Sequence, residues 1–346
     1  MNAKYLLRRL ILVFFIAIAC KSVIAQQPMN YWRNPETMIQ DQASLIFEQV
    51  HKVLVNNPPS VTTNDERKLA LFSIDVLLHD NRLDNSKVFY EYVEKSYQNV
   101  VDKLGNEKPK ADEVRIYRLY NHGFVVQSSS VTVGIDIIRG GREESPFVSE
   151  SLMQSLVSLC DILFISHEHS DHTDKSVIQM FFNQQKNVIV AVKPEALESI
   201  PPQMKYLRGE NVLTELLNIQ AKNKTLTVKV FPGHQDAMPN NVYAITMPEG
   251  ITVIHTGDQS NPGDMNWITR ISEEIKVDVL LVHSWMPEIE KAVEGIKPKL
   301  VIVGHENEMG HTIDHRESYW LTFRRMANIK VPYIVMAWGE SYDVTK

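Results

Sequence analysis

The apolar positions of residues 26–112 recur at the spacing of amphipathic helices. A first helical pattern comprises Ile39, Ala43, Ile46, Phe47, Val50, Val53 and Leu54. The capping-box pattern Thr63-Asn64-Asp65-Glu66 predicts a second helix, which begins there and runs to about Leu78. A third helix is predicted to end at Gly105; its apolar positions are Phe89, Val93, Val100 and Leu104. We expect this segment to pack on the rest of the chain as a helical bundle, or to form a lid or dimerisation element.

Beyond residue 112 the pattern changes to short apolar runs separated by turns, which predicts strands. The predicted strands span 114–119, 123–126, 131–136, 161–166, 188–192, 225–230, 242–247, 251–254, 277–282, 300–303 and 333–336. Apolar and polar residues alternate along 225–230, as in a strand with one buried face. A helix is predicted at about 175–182. We therefore expect an α/β fold, with two sheets and helices outside them, in a domain spanning 113–346 that follows a helical segment spanning 26–112.

The first 25 residues have the pattern of a secretory signal peptide. Lys4, Arg8 and Arg9 precede a short apolar stretch at 10–19, and residues 23–25 offer a cleavage site. The apolar stretch is short for a membrane span. The sequence therefore predicts export, either to the periplasm or out of the cell. An uncleaved anchor helix and a lipid attached to Cys20 are the alternatives.

Composition and charge exclude several classes of function. The 346-residue chain is 44% hydrophobic and 23% charged, as in an ordinary globular protein. Its formal net charge is −6, and loss of residues 1–25 removes four basic residues and no acidic residue. So acidic a chain is a poor candidate for non-specific binding to nucleic acid. We expect a small-molecule substrate, no nucleic-acid partner and no stable membrane span after signal cleavage; the sequence does not define an oligomeric state. Cys160 is the only cysteine after residue 25, so the mature chain has no internal disulfide.

Four potential metal ligands occur between residues 167 and 172 in the pattern H-x-H-x-D-H. They are His167, His169, Asp171 and His172. Three imidazoles and a carboxylate within six residues are unfavourable as core packing, but they suit metal ions. The cluster directly follows the predicted strand 161–166, so it lies on a loop where sheet enzymes tend to place their chemistry. The pattern predicts part of a two-metal site.

Three further polar residues follow predicted strands in the same way. They are His234, Asp258 and His305. Each lies just past the end of a predicted strand and near a glycine, which suits a tight turn into a site. Together with the first cluster, these residues provide enough ligands for two ions.

With these residues the chain resembles the metallo-β-lactamase superfamily, whose fold is an αββα sandwich. The resemblance covers about residues 113–346 and includes Asp136, which matches the structural aspartate of the family at the end of an early strand. It implies a first ion held by His167, His169 and His234, a second ion held by Asp171, His172 and His305, and Asp258 as a bridge between them. These ligand types suit two Zn²⁺ ions, and Mn²⁺ or Fe²⁺ can use the same set.

The resemblance also implies the chemistry. Two ions about 3.5–4 Å apart share a water and lower its pKa, so a metal-bridging hydroxide attacks the substrate while the ions stabilise the oxyanion. Asp171 would orient that hydroxide or accept a proton, which makes it the candidate catalytic residue. Members similar to true β-lactamases carry Cys or Ser where this chain has Asp258, whereas an aspartate resembles hydrolases of phosphodiesters, thioesters and lactones. We therefore expect a metal-dependent hydrolase of an ester, lactone or phosphodiester. The alternatives are a β-lactamase-type amide hydrolase and a non-catalytic metal-dependent binding protein.

Three more residues are candidates for contact with substrate or for support of the ligands. The longer pattern S-H-x-H-x-D-H-x-D, from Ser166 to Asp174, resembles the branch that contains L-ascorbate-6-phosphate lactonase and N-acylphosphatidylethanolamine phospholipase D. Asp174 also fits an acidic residue in the first turn of a helix, where the helix dipole favours it. His311 is expected at the pocket rim beside His305. His283, at the end of a predicted strand, either lines the cleft or is a structural histidine.

Overall fold

A computed structural model describes residues 34–193, 201–219 and 222–346. The predicted signal peptide and Cys20 lie outside the described residues. The chain divides into two compact units, Met1–Gln42 and Ala43–Lys346. All of the strands described in this section belong to the second unit. Within the described ranges, no helix combines the length and the apolar character that crossing a bilayer requires.

The described ranges contain nine α-helices and sixteen strands. The helices are α1 (Pro35–Asn56), α2 (Asp65–Leu78), α3 (Lys87–Asn106), α4 (Glu150–Leu159), α5 (Lys175–Asn183), α6 (Met265–Ile268), α7 (Ile271–Glu274), α8 (Ile289–Ile296) and α9 (Tyr319–Arg325). The strands are β1 (Glu113–Arg118), β2 (Phe124–Ser128), β3 (Thr132–Ile135), β4 (Gly141–Arg142), β5 (Ser145–Pro146), β6 (Ile162–Ile165), β7 (Asn187–Val190), β8 (Met204–Tyr206), β9 (Leu213–Ile219), β10 (Lys224–Gln235), β11 (Met238–Thr246), β12 (Thr252–His255), β13 (Val279–His283), β14 (Leu300–Gly304), β15 (Tyr333–Val335) and β16 (Ser341–Thr345).

The three predicted N-terminal helices are present as α1, α2 and α3, with small shifts at their ends. The N-cap of α2 is Asn64 rather than Thr63, because the Asn64 side chain accepts a hydrogen bond from the backbone N–H of Arg67. The prediction that the third helix ends at Gly105 is wrong by one residue, since α3 continues to Asn106. Gly105 does not adopt the left-handed conformation that ends many helices.

The strands form two seven-stranded sheets and one two-stranded hairpin. The first sheet has the order β16-β1-β2-β3-β6-β7-β8; its strands are antiparallel from β16 to β3 and parallel from β3 to β8. The second has the order β15-β14-β13-β12-β11-β10-β9, antiparallel between β9 and β12 and parallel between β12 and β15. Each sheet therefore has a parallel half, whose strands all end on the same side.

The main core lies between the two sheets. Alternate residues of each strand face it, such as Val114 and Ile116 of β1 in the first sheet and Val228 and Val230 of β10 in the second. A second apolar cluster, on the other face of the second sheet, includes residues of α6, α7 and α8. Helices α4 and α5 also bury an apolar face. Two stacked sheets with helices outside confirm the predicted αββα sandwich of the α/β class.

Buried polar contacts join α2 to the sandwich. Arg67, which is 1% exposed, donates to both carboxylate oxygens of Glu340. The Asp75 carboxylate accepts from Asn307 Nδ2 at 2.9 Å and from two backbone N–H groups of α9. This helix therefore packs on the sandwich, whereas a domain boundary between 112 and 113 stays a prediction.

Strand ends from both sheets place the candidate ligands. Strand β6 of the first sheet ends at Ile165, two residues before His167. In the second sheet, β12 ends three residues before Asp258, and β14 ends directly before His305. Because these are parallel strands of two stacked sheets, loops that are far apart in sequence meet at one edge of the sandwich.

Candidate metal centre

A buried aspartate fixes the loop that follows β6. Asp136 directly follows β3, has a left-handed φ of 47° and is fully buried. Its carboxylate accepts the backbone N–H and the hydroxyl of Ser166, at 2.8 and 2.6 Å, and lies 2.7 Å from Nδ1 of His172. The Ser166 hydroxyl in turn lies 3.0 Å from Nδ1 of His167. Because Nδ1 of both imidazoles is engaged, Nε2 is the nitrogen that remains for a metal ion.

Four of the seven candidate ligands converge. One ligand atom from each of Asp171, His172, Asp258 and His305 lies within 4.8 Å of the other three. Nε2 of His172 is 3.3 Å from Asp171 Oδ2 and 3.2 Å from Asp258 Oδ1. Nε2 of His305 is 3.5 Å from Asp171 Oδ2 and 3.3 Å from Asp258 Oδ2. These are the residues predicted for the second ion, together with the predicted bridge.

The turn that carries Asp258 requires a glycine at 257. Gly257 has a φ of +53°, and a Cβ there would lie 2.1 Å from Oδ1 of Asn240 and 2.6 Å from Cβ of Ser166. The same Asn240 oxygen accepts the backbone N–H of Asp258 at 3.0 Å. This close approach of the two loops brings Asp258 to His172.

Several atoms in and beside this cluster lack hydrogen-bond partners, as expected of metal ligands. Nε2 of His167, His172 and His305 and Oδ1 of Asp258 are buried and make no hydrogen bond of acceptable geometry within the described residues. One such atom is unfavourable by about 1–3 kcal/mol, so four at one place indicate that a ligand completes the site. Imidazole nitrogens and carboxylate oxygens are ligand types of zinc and of other first-row metals. The donor set therefore fits a metal ion.

Burial and charge oppose each other in this cluster. Burial alone would raise the pKa of Asp258, but His172 and His305 hold that pKa well below its ordinary value. Burial alone would lower the pKa of His305, whereas Asp258 and Asp171 raise it to about 10. The buried carboxylates therefore require positive charge beside them, which either protonated imidazole or a divalent cation supplies.

His167 and His169 lie beside this cluster. Nε2 of His167 is 3.9 Å from Asp258 Oδ2, and the His167 ring centroid is 4.2 Å from that of His172. The partly exposed His169 ring lies 4.9 Å from the His167 ring. Two of the three imidazoles predicted for the first ion are thus neighbours, and one of them approaches the predicted bridge.

His234 does not follow the end of a strand, as the sequence predicts, but lies within β10. It is opposite Pro239 in the β10–β11 hairpin. Pro232 and Gly233, which suggested an early turn, are also paired with β11. The hairpin turns instead at Asp236, which has a left-handed φ of 50°. The prediction is wrong because a proline and a glycine can be accommodated inside this hairpin without ending its strands.

The side chain of His234 has partners of its own. Nδ1 lies 3.0 Å from an Asp264 carboxylate oxygen, and Nε2 lies 3.1 Å from Nη2 of Arg208. No hydrogen bond or ion pair connects His234 to the other six candidate side chains, all of which fall in the described ranges. The structure therefore brings together the residues predicted for the second ion and the bridge, but only two of the three imidazoles predicted for the first ion.

A family model described as a beta-lactamase superfamily domain matches residues 115–305, more than half of the 346-residue chain. The chain belongs to the β-lactamase superfamily. All seven candidate ligands fall within the matched range, and the resemblance drawn from them is confirmed at the level of the superfamily. With the metal-ligand cluster, the chain is a metallo-hydrolase of this superfamily. No curated protein matches the chain.

Solved structures with similarity to this superfamily member include two hydrolases and a hydroxylase. A metallo hydrolase from the archaeon Ignicoccus hospitalis is 15% identical, with 68% of this chain and 99% of that chain covered and a TM-score of 0.48. An isothiocyanate hydrolase from Delia radicum gut bacteria is 11% identical, with coverages of 67% and 99% and a TM-score of 0.49. CmlA, a diiron β-hydroxylase from Streptomyces venezuelae, is 16% identical, with coverages of 69% and 55% and a TM-score of 0.48.

Asn121 contacts two of the candidate ligands and is not among the residues that the sequence predicts. It lies in the turn between β1 and β2 with a left-handed φ of 54°. Its Nδ2 donates to Oδ2 and to the carbonyl of Asp171, both at 3.0 Å, and its carbonyl accepts the N–H of His305 at 3.2 Å. Asparagine tolerates this conformation, so the sequence could indicate the turn but not these partners.

Asp174 is the N-cap of α5. Its carboxylate accepts the backbone N–H groups of Ser176 and Val177, and the second carboxylate oxygen accepts the N–H of Arg139. Both oxygens are thus engaged in holding the helix and the loop after β3. These contacts support the role at the start of the helix that the sequence suggests. Asp174 lies one residue before the first turn of α5.

His311 and His283 both lie near His305, but one is exposed and the other is buried. His311 is 49% exposed, its Nδ1 lies 3.0 Å from Glu308, and its ring centroid lies 6.2 Å from that of His305. This is a position at the rim of the site. His283 is fully buried at the end of β13, with its ring centroid 6.3 Å from that of His305. Because it is buried, His283 fits the prediction of a structural histidine better than that of a residue lining an open cleft.

Proposed function

We propose that this chain is an exported metallo-hydrolase that uses two zinc ions to cleave an ester, a lactone or a phosphodiester. One observation carries the proposal. Ligand atoms of Asp171, His172, Asp258 and His305 lie within 4.8 Å of one another, and three of these four residues are buried. A buried cluster of this kind needs a cation, and the sequence predicts three further ligands, His167, His169 and His234.

Two groups of residues would hold the ions. We assign His167, His169 and His234 to the first, Asp171, His172 and His305 to the second, and Asp258 to both. When bound, the ions would supply a water acidic enough to ionise near neutral pH and positive charge for the oxyanion that develops on the substrate. The remaining task of the chain is to hold its ligands still, which the contacts to Nδ1 of His167 and His172 accomplish.

Asp171 is the residue that we propose to carry a proton during turnover. Its side chain is 18% exposed, whereas that of Asp258 is 3% exposed, so Asp171 is the carboxylate of this cluster that substrate and solvent can reach. Asn121 fixes it through a hydrogen bond of 3.0 Å to Oδ2. A carboxylate held in this way can accept a proton from the attacking water and return it to the leaving group.

Three features of the sequence support the substrate class and the location. Asp258 stands where members similar to true β-lactamases carry Cys or Ser, which favours ester and phosphodiester cleavage over lactam cleavage. Residues 1–25 have the pattern of a signal peptide, which supports export. The acidic net charge of −6 favours a small-molecule substrate over a nucleic acid.

A substrate panel tests the proposal. Zinc-loaded protein is assayed with p-nitrophenyl esters, an aryl lactone, bis(p-nitrophenyl) phosphate and a chromogenic cephalosporin. We expect turnover of at least one of the first three and none of the cephalosporin. Asp258→Ala should lose this turnover, and the control Asp65→Ala, at a fully exposed carboxylate of α2, should retain it. Turnover of the cephalosporin would support the amide-hydrolase alternative, and full zinc loading without any turnover would support a binding protein.

A further inference from the structure

His234 is held in the tautomer that suits a metal ligand. Its Nδ1 lies 3.0 and 3.3 Å from the two carboxylate oxygens of Asp264. Nδ1 therefore carries the proton and donates a hydrogen bond to that carboxylate. Gln259 donates to the same carboxylate at 2.9 Å and accepts the backbone N–H of His234 at 2.8 Å. The lone pair of His234 is therefore on Nε2, and a carboxylate behind the ring is the usual support of a metal-binding histidine.

The lone pair on Nε2 of His234 accepts a hydrogen bond from Arg208. A guanidinium can only donate, so Nη2 of Arg208 donates to Nε2 of His234 across 3.1 Å. The guanidinium is anchored by two further hydrogen bonds of 3.0 Å, from Nη2 to the Gly233 carbonyl and from Nη1 to Oδ1 of Asn241. Within the described ranges, no carboxylate lies at ion-pair distance from Arg208. The guanidinium is therefore not ion-paired within these ranges, and Asp264, which contacts the other ring nitrogen of His234, acts on its charge only at longer range.

The two ion positions consequently differ in what a metal ion must displace. Among the residues that the structure describes, none is hydrogen-bonded to Nε2 of His172 or of His305, and the ligand atoms of the second position already lie within 4.8 Å of one another. At the first position, Nε2 of His167 is free in the same way, but Nε2 of His234 is bound by Arg208. An ion that binds there has to break this hydrogen bond and come close to a fixed positive charge.

We propose that Arg208 is a placeholder for the first metal ion, so that the second position fills first and more tightly. The inference rests on the two-ion site proposed above, and it adds an order of loading and a residue that sets the affinity. Removing the guanidinium leaves the tautomer of His234 unchanged, because Asp264 and Gln259 stay in place. The lone pair on Nε2 of His234 can then bind a metal ion without first losing the hydrogen bond from Arg208.

Zinc titration of the metal-free mature protein tests this proposal without any substrate. With chelator-buffered zinc and calorimetry, we expect two binding steps whose dissociation constants differ at least tenfold. Arg208→Met keeps the aliphatic stem and should tighten the weaker step at least tenfold while the tighter step is unchanged. His234→Ala should remove the weaker step only. Lys205→Met is the matched control: it removes a cation from β8, on a side chain that is 45% exposed and pairs with Glu215, and should change neither step.

Two equally tight steps in the unmodified protein, or a weaker step that Arg208→Met leaves unchanged, would overturn the proposal. Circular dichroism establishes that each variant is folded, and Arg208→Lys, which keeps the charge but has a single ammonium group, provides a second variant with an intermediate expected effect. Two unequal steps without turnover of any substrate would contradict the hydrolase function and leave the placeholder intact. Absence of both steps would contradict the two-ion site itself.

Discussion

Two buried aspartates illustrate how neighbouring groups determine the charge of the same side chain. Burial would raise the pKa of Asp136, but the imidazole of His172 at 2.7 Å holds that pKa below its ordinary value. Asp75 accepts hydrogen bonds only from neutral amide groups, namely Asn307 Nδ2 and two backbone N–H groups. Burial therefore prevails at Asp75 and raises its pKa from 3.8 to about 6. The charged form of Asp75 is disfavoured in the folded state, whereas that of Asp136 is stabilised.

Asp75 should make stability fall as pH rises between about 4 and 6. In that window the folded state retains a proton that the unfolded state has released, so the free energy of unfolding decreases with pH. Asp75→Asn removes this contribution. We expect the difference in unfolding free energy, unmodified protein minus variant, to be roughly 2 kcal/mol larger at pH 4.5 than at pH 7.5. Urea denaturation with chelator present, so that metal binding is absent at both pH values, measures this difference. A difference that does not change with pH would contradict it.

At the scale of elements, the pattern of apolar residues identifies the central strands and misses three of the four edge strands of the two large sheets. Strands β6, β13 and β14 are buried along their whole length, and each contains four consecutive apolar residues. The edge strand β16 has one buried residue, Val344, and pairs with β1 about 230 residues earlier. The edge strands β8 of the first sheet and β9 of the second sheet are also absent from the prediction, whereas β15, the other edge of the second sheet, is predicted. An edge strand is defined by its neighbour's hydrogen bonds more than by its own side chains, so its sequence carries little of the signal.

The packing of α8 depends on a glycine. A Cβ at Gly295 would lie 2.2 Å from Cα and 2.5 Å from C and O of Thr269, at the end of α6. These are backbone atoms, so the helices would have to move apart. We expect Gly295→Ala to lower the free energy of unfolding by at least about 1–3 kcal/mol, the usual effect of overpacking.

Gly105 provides the matched control for this substitution. It lies in the last turn of α3, and a Cβ there would meet nothing within 4 Å. Gly105→Ala should therefore be neutral or stabilising by up to about 1 kcal/mol, because alanine has the higher helix propensity. Both variants are compared by denaturant unfolding at one pH. An unfolding free energy for Gly295→Ala that equals that of Gly105→Ala would show that α6 and α8 are not in close contact.

At the scale of the whole molecule, the sequence predicts the candidate ligands better than it predicts the contacts that hold them. The six-residue motif is local, and Asp258 and His305 follow strands that are themselves strongly apolar, so a pattern marks each of them. Asn121, Asp264 and Arg208 act on residues 26 to 184 positions away, through loops whose approach depends on how the two sheets stack. No periodicity in the chain encodes that approach. The same reason explains why the sequence predicts His234 as a ligand but does not predict the hydrogen bond from Arg208 to its Nε2.

The most direct test of the central claim measures metal content and turnover on the same sample. Protein saturated with zinc is analysed by mass spectrometry for metal, assayed on its best ester or phosphodiester substrate, stripped with a chelator, assayed again and then reloaded. We predict about two zinc ions per chain, loss of turnover when they are removed and recovery of turnover when they are restored. Asp258→Ala should bind less zinc and should lose turnover. Full activity in folded protein from which all metal has been removed would contradict the account.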